Sequence, residues 1–261
     1  MATNVVKKPD TRKTLRQRVS PEEWQMRVDL AACYRLIAYF RWTDMIYTHI
    51  SARVPGERDH FLINAYGLMF DEIKASNLVK VDHEGNLIDD PTDLGINPAG
   101  FVIHSAIHME RQDVDCVLHT HTAAGMAVAS QKQGLLMLNQ HSMRFHNRIG
   151  YHDYEGVALD LDERSRLQKN LGDKFVLILR NHGLLTCGRT VREAFDLMYY
   201  LQRSCEAQVV AQSTGAELIL GDTTLAEHVA RQFEKPNRPS ARKDWPALTR
   251  MLDRTDPSYK D

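Results

Sequence analysis

No C-x-x-C pair, no G-x-G-x-x-G, no internal repeat and no apolar run of about 18 residues occurs in the sequence, and each absence closes a class of function. The four cysteines, Cys33, Cys116, Cys187 and Cys205, stand apart in apolar or helical contexts. They read as reduced thiols rather than a disulfide or zinc framework. Without a long apolar run there is no membrane helix to expect. Nothing apolar follows the basic residues of MATNVVKKPDTRKTLRQR, so the start does not read as a secretory signal, and a cytoplasmic protein is the expectation. Neither charge is in excess: Lys+Arg 33 against Asp+Glu 34 gives a net charge of -1, which removes the electrostatic case for nucleic acid or an anionic membrane as partner. Aromatics are only 8%, yet 43% of the 261 residues are hydrophobic, enough for one globular domain with its own core.

Histidine is what the chain does have: of 12, seven fall between His104 and His152. Around them the pattern alternates helices with short strands. Ser20-Pro21-Glu22-Glu23 opens a helix running to about Phe40, with an N-cap serine, a proline at the first position and a glutamate placed for a capping box. HISARV, HFLIN and LVKVD read as a meander of strands parted by Pro55-Gly56, Gly67 and Gly85-Asn86. FVIHSAIHMER is helical, VDCVLHTH a buried strand, AAGMAVASQKQG a helix, residues 139–156 a loop-like stretch, and 162–170 a short helix. FVLILR and LLTCG are strands on either side of Asn181-His182-Gly183, and Thr190 caps a last long helix ending before Gly215. The interleaving predicts an α/β fold, a three-layer α/β/α sandwich. It divides into a polar arm at 1–19, mobile or lying across a neighbouring subunit, a domain at 20–221, and a polar tail at 222–261 that stays loose or packs on a partner.

His119 and His121 end an apolar strand two residues apart, so both imidazoles leave the same face, as two ligands of one ion must. His182 ends another buried strand and precedes a glycine that permits close approach, which makes it the candidate third ligand. Three neutral imidazoles leave the ion its charge and open positions for an anionic substrate binding through two oxygens. His104 and His108 share a helical face; His104 reads as part of the active-site wall and His108 as a surface residue. His141, His146, Tyr151, His152 and Tyr154 form a titratable cluster in which the tyrosines are candidate proton donors. Arg144 and Arg148 are candidate carboxylate binders. The long helix's apolar stripe, Phe195 to Leu201, is core or subunit interface, and Arg231, Lys235, Arg238, Arg242 and Lys243 are a solvated tail.

The segments FLINAYGLMFDEI, GINPAGFVIHSAIH, CVLHTHTAAGMAVA, GYHDYEG and LILRNHGLLTCG, in this order, resemble the class II aldolase/adducin family over roughly residues 24 to 215. The resemblance implies an α/β/α sandwich with a largely antiparallel central sheet, a homotetramer with sites at subunit interfaces, and His119, His121 and His182 as metal ligands. It also exposes departures. Where the family's sugar-phosphate aldolases carry a catalytic glutamate, four residues before His104, this chain has Gly100. Their phosphate cradle is replaced by Thr48-His49, the turn Asn64-Ala65-Tyr66-Gly67, and Pro98-Ala99. With those donors gone, a sugar phosphate is a poor substrate.

Two branches resemble the chain most. NPAGFVIHSAIH, GYHDYEG and LRNHGL are similar to the adducin head domain, although the 261 residues contain no long lysine-rich stretch of the adducin kind. The other branch is the non-haem oxygenase and decarboxylase-like proteins of aminocoumarin antibiotic formation. The expectation is therefore a metal-dependent enzyme cleaving a carbon-carbon bond of a small unphosphorylated oxo or hydroxy acid, as a lyase or an oxidative decarboxylase. It would use one zinc, iron, cobalt or manganese ion, His104, Tyr151 and Tyr154 for proton transfer, and Asn64, Gly67 and Arg144 for binding. The alternative is a non-catalytic adducin-like scaffold, and a sugar-phosphate aldolase ranks last.

Overall fold

Strands form where apolar side chains alternate between two covered faces, and here most strand positions are buried. The computed structural model describes residues 13–156, 163–234 and 243–261. Its strands are β1 (Ile50–Val54), β2 (Glu57–Asn64), β3 (Leu78–Asp82), β4 (Leu87–Asp89), β5 (Cys116–Thr120), β6 (Ile149–His152), β7 (Val176–Leu179) and β8 (Gly183–Gly188). They make one sheet in the order β4-β3-β2-β1-β5-β8-β7-β6. Neighbouring strands are antiparallel except β6 and β7, whose parallel pairing needs a crossover through a helix.

The helices are α1 (Leu15–Arg18), α2 (Pro21–Tyr39), α3 (Pro98–Glu110), α4 (Ala123–Ala129), α5 (Gln140–Met143), α6 (Glu163–Leu171), α7 (Val191–Ser213), α8 (Thr223–Glu234) and α9 (Asp244–Thr255). Ile50, Ala52, Cys116, Leu118, Ile178 and Leu184 pack under α2, α4 and α7. Their strand neighbours Val117, Leu177, Leu179, Leu185 and Cys187 face Phe101, Ile103 and Ile107 of α3 and Leu167 and Leu171 of α6. Two apolar cores on opposite faces of one sheet are the expected α/β/α sandwich. Among the described residues no helix is long and apolar enough to cross a membrane. The cysteines are all free and buried.

The helix starts follow their sequence signals: Ser20 accepts a hydrogen bond from the Glu23 amide at 3.0 Å and Thr190 from Glu193 at 3.1 Å. Glu23 departs from its expected role as the return half of a capping box. It turns inward to pair with the fully buried Arg27 at 2.9 Å and with Lys80 at 3.1 Å.

Three regions differ from the sequence reading. The stretch 139–156 is not loop-like throughout: Asn139 caps α5, and residues 149–152 add an edge strand. The expected tail after 222 folds back on its own chain, with Ala226, Ala230, Leu252 and Tyr259 buried. Arg35 anchors its end through Asp256 at 2.9 Å and Ser258 at 3.2 Å. Trp245, Leu248, Met251 and Leu252 lie at helical spacing, but the polar and charged residues around them hide the stripe in a composition-based reading. In the N-terminal arm, Leu15 is buried and Arg18 pairs with Asp89 at 3.2 Å. Residues 1–12, and Lys235, Arg238 and Arg242 of the basic cluster, lie outside the described residues.

Candidate metal centre

One end of the sheet collects the start of β1, the end of β5 and the tight β7–β8 connection, which are neighbours in the sheet order. His119 is the penultimate residue of β5, His121 follows its end, and His182 lies in the three-residue turn between Leu179 and Gly183. Asn181 takes φ 55° in that turn. A Cβ on Gly183 would stand 2.4 Å from the Thr120 carbonyl, so only glycine lets β8 pass this close to β5 and bring His182 to the other two.

The three imidazoles converge with their ligand atoms all within 4.8 Å of one another. The Nε2 of His121 lies 2.8 Å from Nε2 of His119 and 2.9 Å from Nε2 of His182. The Nδ1 of His119 faces the Leu184 carbonyl at 2.9 Å and that of His121 faces Asp44 Oδ2 at 2.9 Å. Both partners are acceptors, so each Nδ1 carries the proton and each Nε2 presents a lone pair. With neutral rings the Nε2 lone pairs of His119 and His121 point at one spot, an arrangement that a bound cation stabilises. Burial, reinforced by the neighbouring imidazoles, holds His119 well below the usual histidine range. His182 is pushed down to about 4 by burial and then by His121 and His152. Both rings are neutral at neutral pH, and the three residues fit a divalent ion.

The loop leading into β1 supplies two further groups that the sequence reading did not single out as site residues. Arg41, Met45 and Thr48 hold φ values of 60°, 46° and 66°, strained for residues with side chains and costing of order 1–3 kcal/mol each. What the strain places is Asp44 on His121 and His49 beside the sheet end. The His119 amide donates to the His49 carbonyl at 3.1 Å, extending the β1–β5 ladder by one residue. His49 is therefore directly opposite His119 and on the same face. Its side chain is buried, and neither ring nitrogen has a partner. Burial, then His121, pushes it down to about 3. A Cβ at Gly100 would sit 2.3 Å from His49 Nδ1 and 2.6 Å from Cγ, so the imidazole fills the space that a side chain at position 100 would enter. The only sequence signals were the glycine and the histidine themselves, 51 positions apart and meaningless until the fold joins them.

His104 lies behind this group. Its Nδ1 is 2.6 Å from Ser51 Oγ, its Nε2 has no partner, and its ring packs edge-on to His49 at 5.9 Å between centroids. Burial, then His49 and His108, keeps it well below the usual range. His108 is fully buried rather than on the surface, because its Nε2 meets the same Ser51 hydroxyl at 2.8 Å and its ring stacks on Phe61. Tyr154 is at the rim, half exposed, its ring 5.9 Å from that of His182. Gly67 lies in the turn after β2, at the same end of the sheet and φ +113°.

Three expected site residues are elsewhere. Tyr151 is paired with Ile178 on the α2/α7 face, opposite to His119; its hydroxyl accepts from the Leu135 amide at 3.2 Å, and Arg180 covers its ring. Burial raises its pKa, which suits packing rather than proton transfer. Asn64 lies on the same α2/α7 face as Leu62, its Oδ1 2.8 Å from the Tyr34 hydroxyl. Arg144 is bound to Asp196 and stacked against Tyr200 and Phe233 over α7 and α8. Strand parity or helix packing sends each of them away from the cluster. His152, by contrast, is on the His119 face but is held between Glu163 at 3.2 Å and Asn170 at 2.9 Å. His141 packs on Tyr200, and Arg148 pairs with Glu227 and Glu234.

The family description Class II Aldolase and Adducin N-terminal domain matches residues 28–209, a span that holds every member of the histidine cluster. The chain belongs to this family. A crystal structure of an aldolase II superfamily protein from Pseudomonas syringae is 56% identical, covers 95% of this chain and 100% of its own, and superposes with a TM-score of 0.91. L-fuculose 1-phosphate aldolase from Glaciozyma antarctica PI12 is 26% identical with a TM-score of 0.81, covering 98% of each chain. Alpha-adducin of Rattus norvegicus is 42% identical over 242 residues, which are 87% of this chain but 33% of the adducin. This class II aldolase-like chain thus shares its fold with an aldolase and its sequence with one third of a much longer protein.

Proposed function

We propose that this family member is a divalent-metal-dependent enzyme, a lyase or an oxidative decarboxylase, that cleaves a carbon-carbon bond of a small unphosphorylated oxo or hydroxy acid. The observation that carries the reading is the convergence of His119, His121 and His182, whose Nε2 atoms lie 2.8 and 2.9 Å apart while Leu184 and Asp44 take the Nδ1 side of two of the rings. An ion held by three neutral imidazoles keeps its full charge and supplies a Lewis acid for a carbonyl or carboxylate. The residues around it do the rest. Leu184 and Asp44 lock two imidazoles in the ligating tautomer. Ser51, His104 and His108 form a buried hydrogen-bonded group behind the site, with His104 Nε2 unpartnered and available to move a proton. Tyr154 stands at the open side, where a phenol can meet substrate.

Against a sugar phosphate stand the loss of the hydroxyl-rich cradle and the orientation of Asn64, whose amide is used by Tyr34. The exposed Met45, Tyr47 and Tyr154 suit a homotetramer in which a neighbouring copy closes the site, which mass measurement in solution tests. A scaffold role is the second reading, favoured by the identity to alpha-adducin.

Elemental analysis of wild type and of a His119→Ala, His121→Ala double variant, both purified without added metal, separates the two. Near-stoichiometric metal in wild type alone supports the enzyme, iron or cobalt pointing to oxidative cleavage and zinc or manganese to lyase chemistry. No metal, even after reconstitution, overturns it in favour of the scaffold.

A further inference from the structure

His121 stands one residue past Thr120, the last paired residue of β5, so the sheet ladder no longer fixes its backbone. Its two chain neighbours are instead held by α7. Thr120 Oγ1 lies 3.5 Å from Met198 Sδ, and Thr122 Oγ1 donates to Gln202 Oε1 at 2.5 Å, from two residues four apart on one face of that helix. The Thr122 hydroxyl also accepts from the Gly125 amide at 3.1 Å as the N-cap of α4, so its donor and its acceptor roles are both assigned. Gln202 is 3% exposed, and its Nε2 donates to Glu206 Oε1 at 3.0 Å, which decides the end of the amide that faces Thr122. A Cβ on Gly125 would stand 2.7 Å from Thr122 Oγ1 and 2.8 Å from Leu184 Cγ, so the first turn of α4 is pressed against β8, whose Leu184 carbonyl faces His119. A buried amide on α7 carries a desolvation cost that an apolar side chain would not.

We propose that Gln202 is a positioning residue for the metal centre: by holding Thr122 it sets the backbone from which His121 reaches the other two imidazoles. The inference rests on the metal-dependent reading above and extends it to a helix behind the site. Asp44 orients the ring of His121 through Nδ1, and Gln202 orients the chain that carries the ring. Where a binding-competent arrangement is only fractionally populated, apparent affinity falls by that fraction, so freeing the backbone at 121–122 weakens metal binding without removing a ligand. A hydrogen bond that served only to satisfy the Thr122 hydroxyl would affect folding stability and leave the coordination of the ion unchanged.

The test uses the full chain and cobalt(II) alone as probe, with affinity read by competition with a chelator, coordination by the visible bands of cobalt, and the stability of each metal-free protein by urea unfolding. Gln202→Met keeps the length of the side chain and removes the amide; it should bind cobalt about ten-fold more weakly than wild type, the lower end of the effect of outer partners of a ligand, with altered bands. Thr122→Val should do the same, Thr122→Ser should stay close to wild type because it keeps the hydroxyl, and the Thr122→Val, Gln202→Met double variant should be no weaker than the weaker single variant. If Gln202→Met fails to fold, Gln202→Leu takes its place, and the Thr122→Val and Thr122→Ser pair reads the same contact from its other end. Unchanged cobalt affinity and bands in the Gln202 variant, losses that multiply in the double variant, or a loss in Thr122→Ser equal to that in Thr122→Val would each overturn the proposal and leave the metal-dependent reading intact. Failure of wild type to bind cobalt would overturn both.

Discussion

Replacing Gly100 by alanine pits two effects against each other. Inside a helix, alanine is favoured over glycine by roughly 0.5–1 kcal/mol. The new methyl, however, would stand 2.3, 2.4 and 2.6 Å from Nδ1, Cε1 and Cγ of His49, all well inside contact distance. Because Cγ is next to the backbone, rotation of the ring does not relieve the overlap. The ring must shift by about 1 Å inside a packed layer, and overpacking of this kind costs about 1–3 kcal/mol. Gly100→Ala should therefore destabilise by about 0.5–2 kcal/mol, lowering the thermal midpoint by a few degrees for a chain of this size. In a His49→Ala background the obstruction is gone and the same change should stabilise by roughly 0.5–1 kcal/mol. Urea unfolding of the four proteins, at one protein concentration, gives a coupling of about 1–3 kcal/mol between positions 49 and 100. If Gly100→Ala raises stability equally in both backgrounds, His49 does not occupy that space and the argument for its placement fails.

Asp44→Asn should lower metal affinity about 10- to 100-fold by weakening the hold on His121 Nδ1, measured by competition with a chromogenic chelator; unchanged affinity would mean that the hydrogen bond does not orient the ligand. The metal-free protein should lose stability in acid, because burial pushes His49 down to about 3 from 6.5 and His182 down to about 4. The unfolded chain takes up these protons near pH 6.5 and the folded chain does not, so this stability is complete above pH 6.5 and declines towards pH 4 and below. The slope from His49 alone is up to about 1.4 kcal/mol per pH unit, and a flat urea midpoint between pH 6.5 and 4 would contradict neutral burial. Burial also raises all four thiols, Cys187 and Cys205 to about 12, so none should react with Ellman's reagent until the chain is denatured. Rapid labelling of the native protein would refute this.

The long-range order of the site was partly written in local pattern. His119 and His121 were legible because a strand repeats every two residues, and His182 because an apolar run and a glycine flank it. Tyr151 and Asn64 show the limit of the same rule. Whether a strand residue faces the cluster depends on its parity within a register that only the paired neighbours define, and both fall on the α2/α7 side. His108 looked like a surface residue on its helix, yet Ser51 and Phe61, from two different strands, bury it.

By itself the sequence determined the alternation of helices and strands, two buried faces, the helix caps and the three imidazoles, since each depends on residues within a few positions of one another. Tertiary structure alone decided which groups surround the cluster. Asp44 reaches His121 across 77 positions, and His49 meets the empty space of Gly100 through a strained loop and a helix that belong to different layers. Such contacts depend on where packed elements come to rest, and burial there turns two ordinary-looking residues, a histidine and a glycine, into parts of a site.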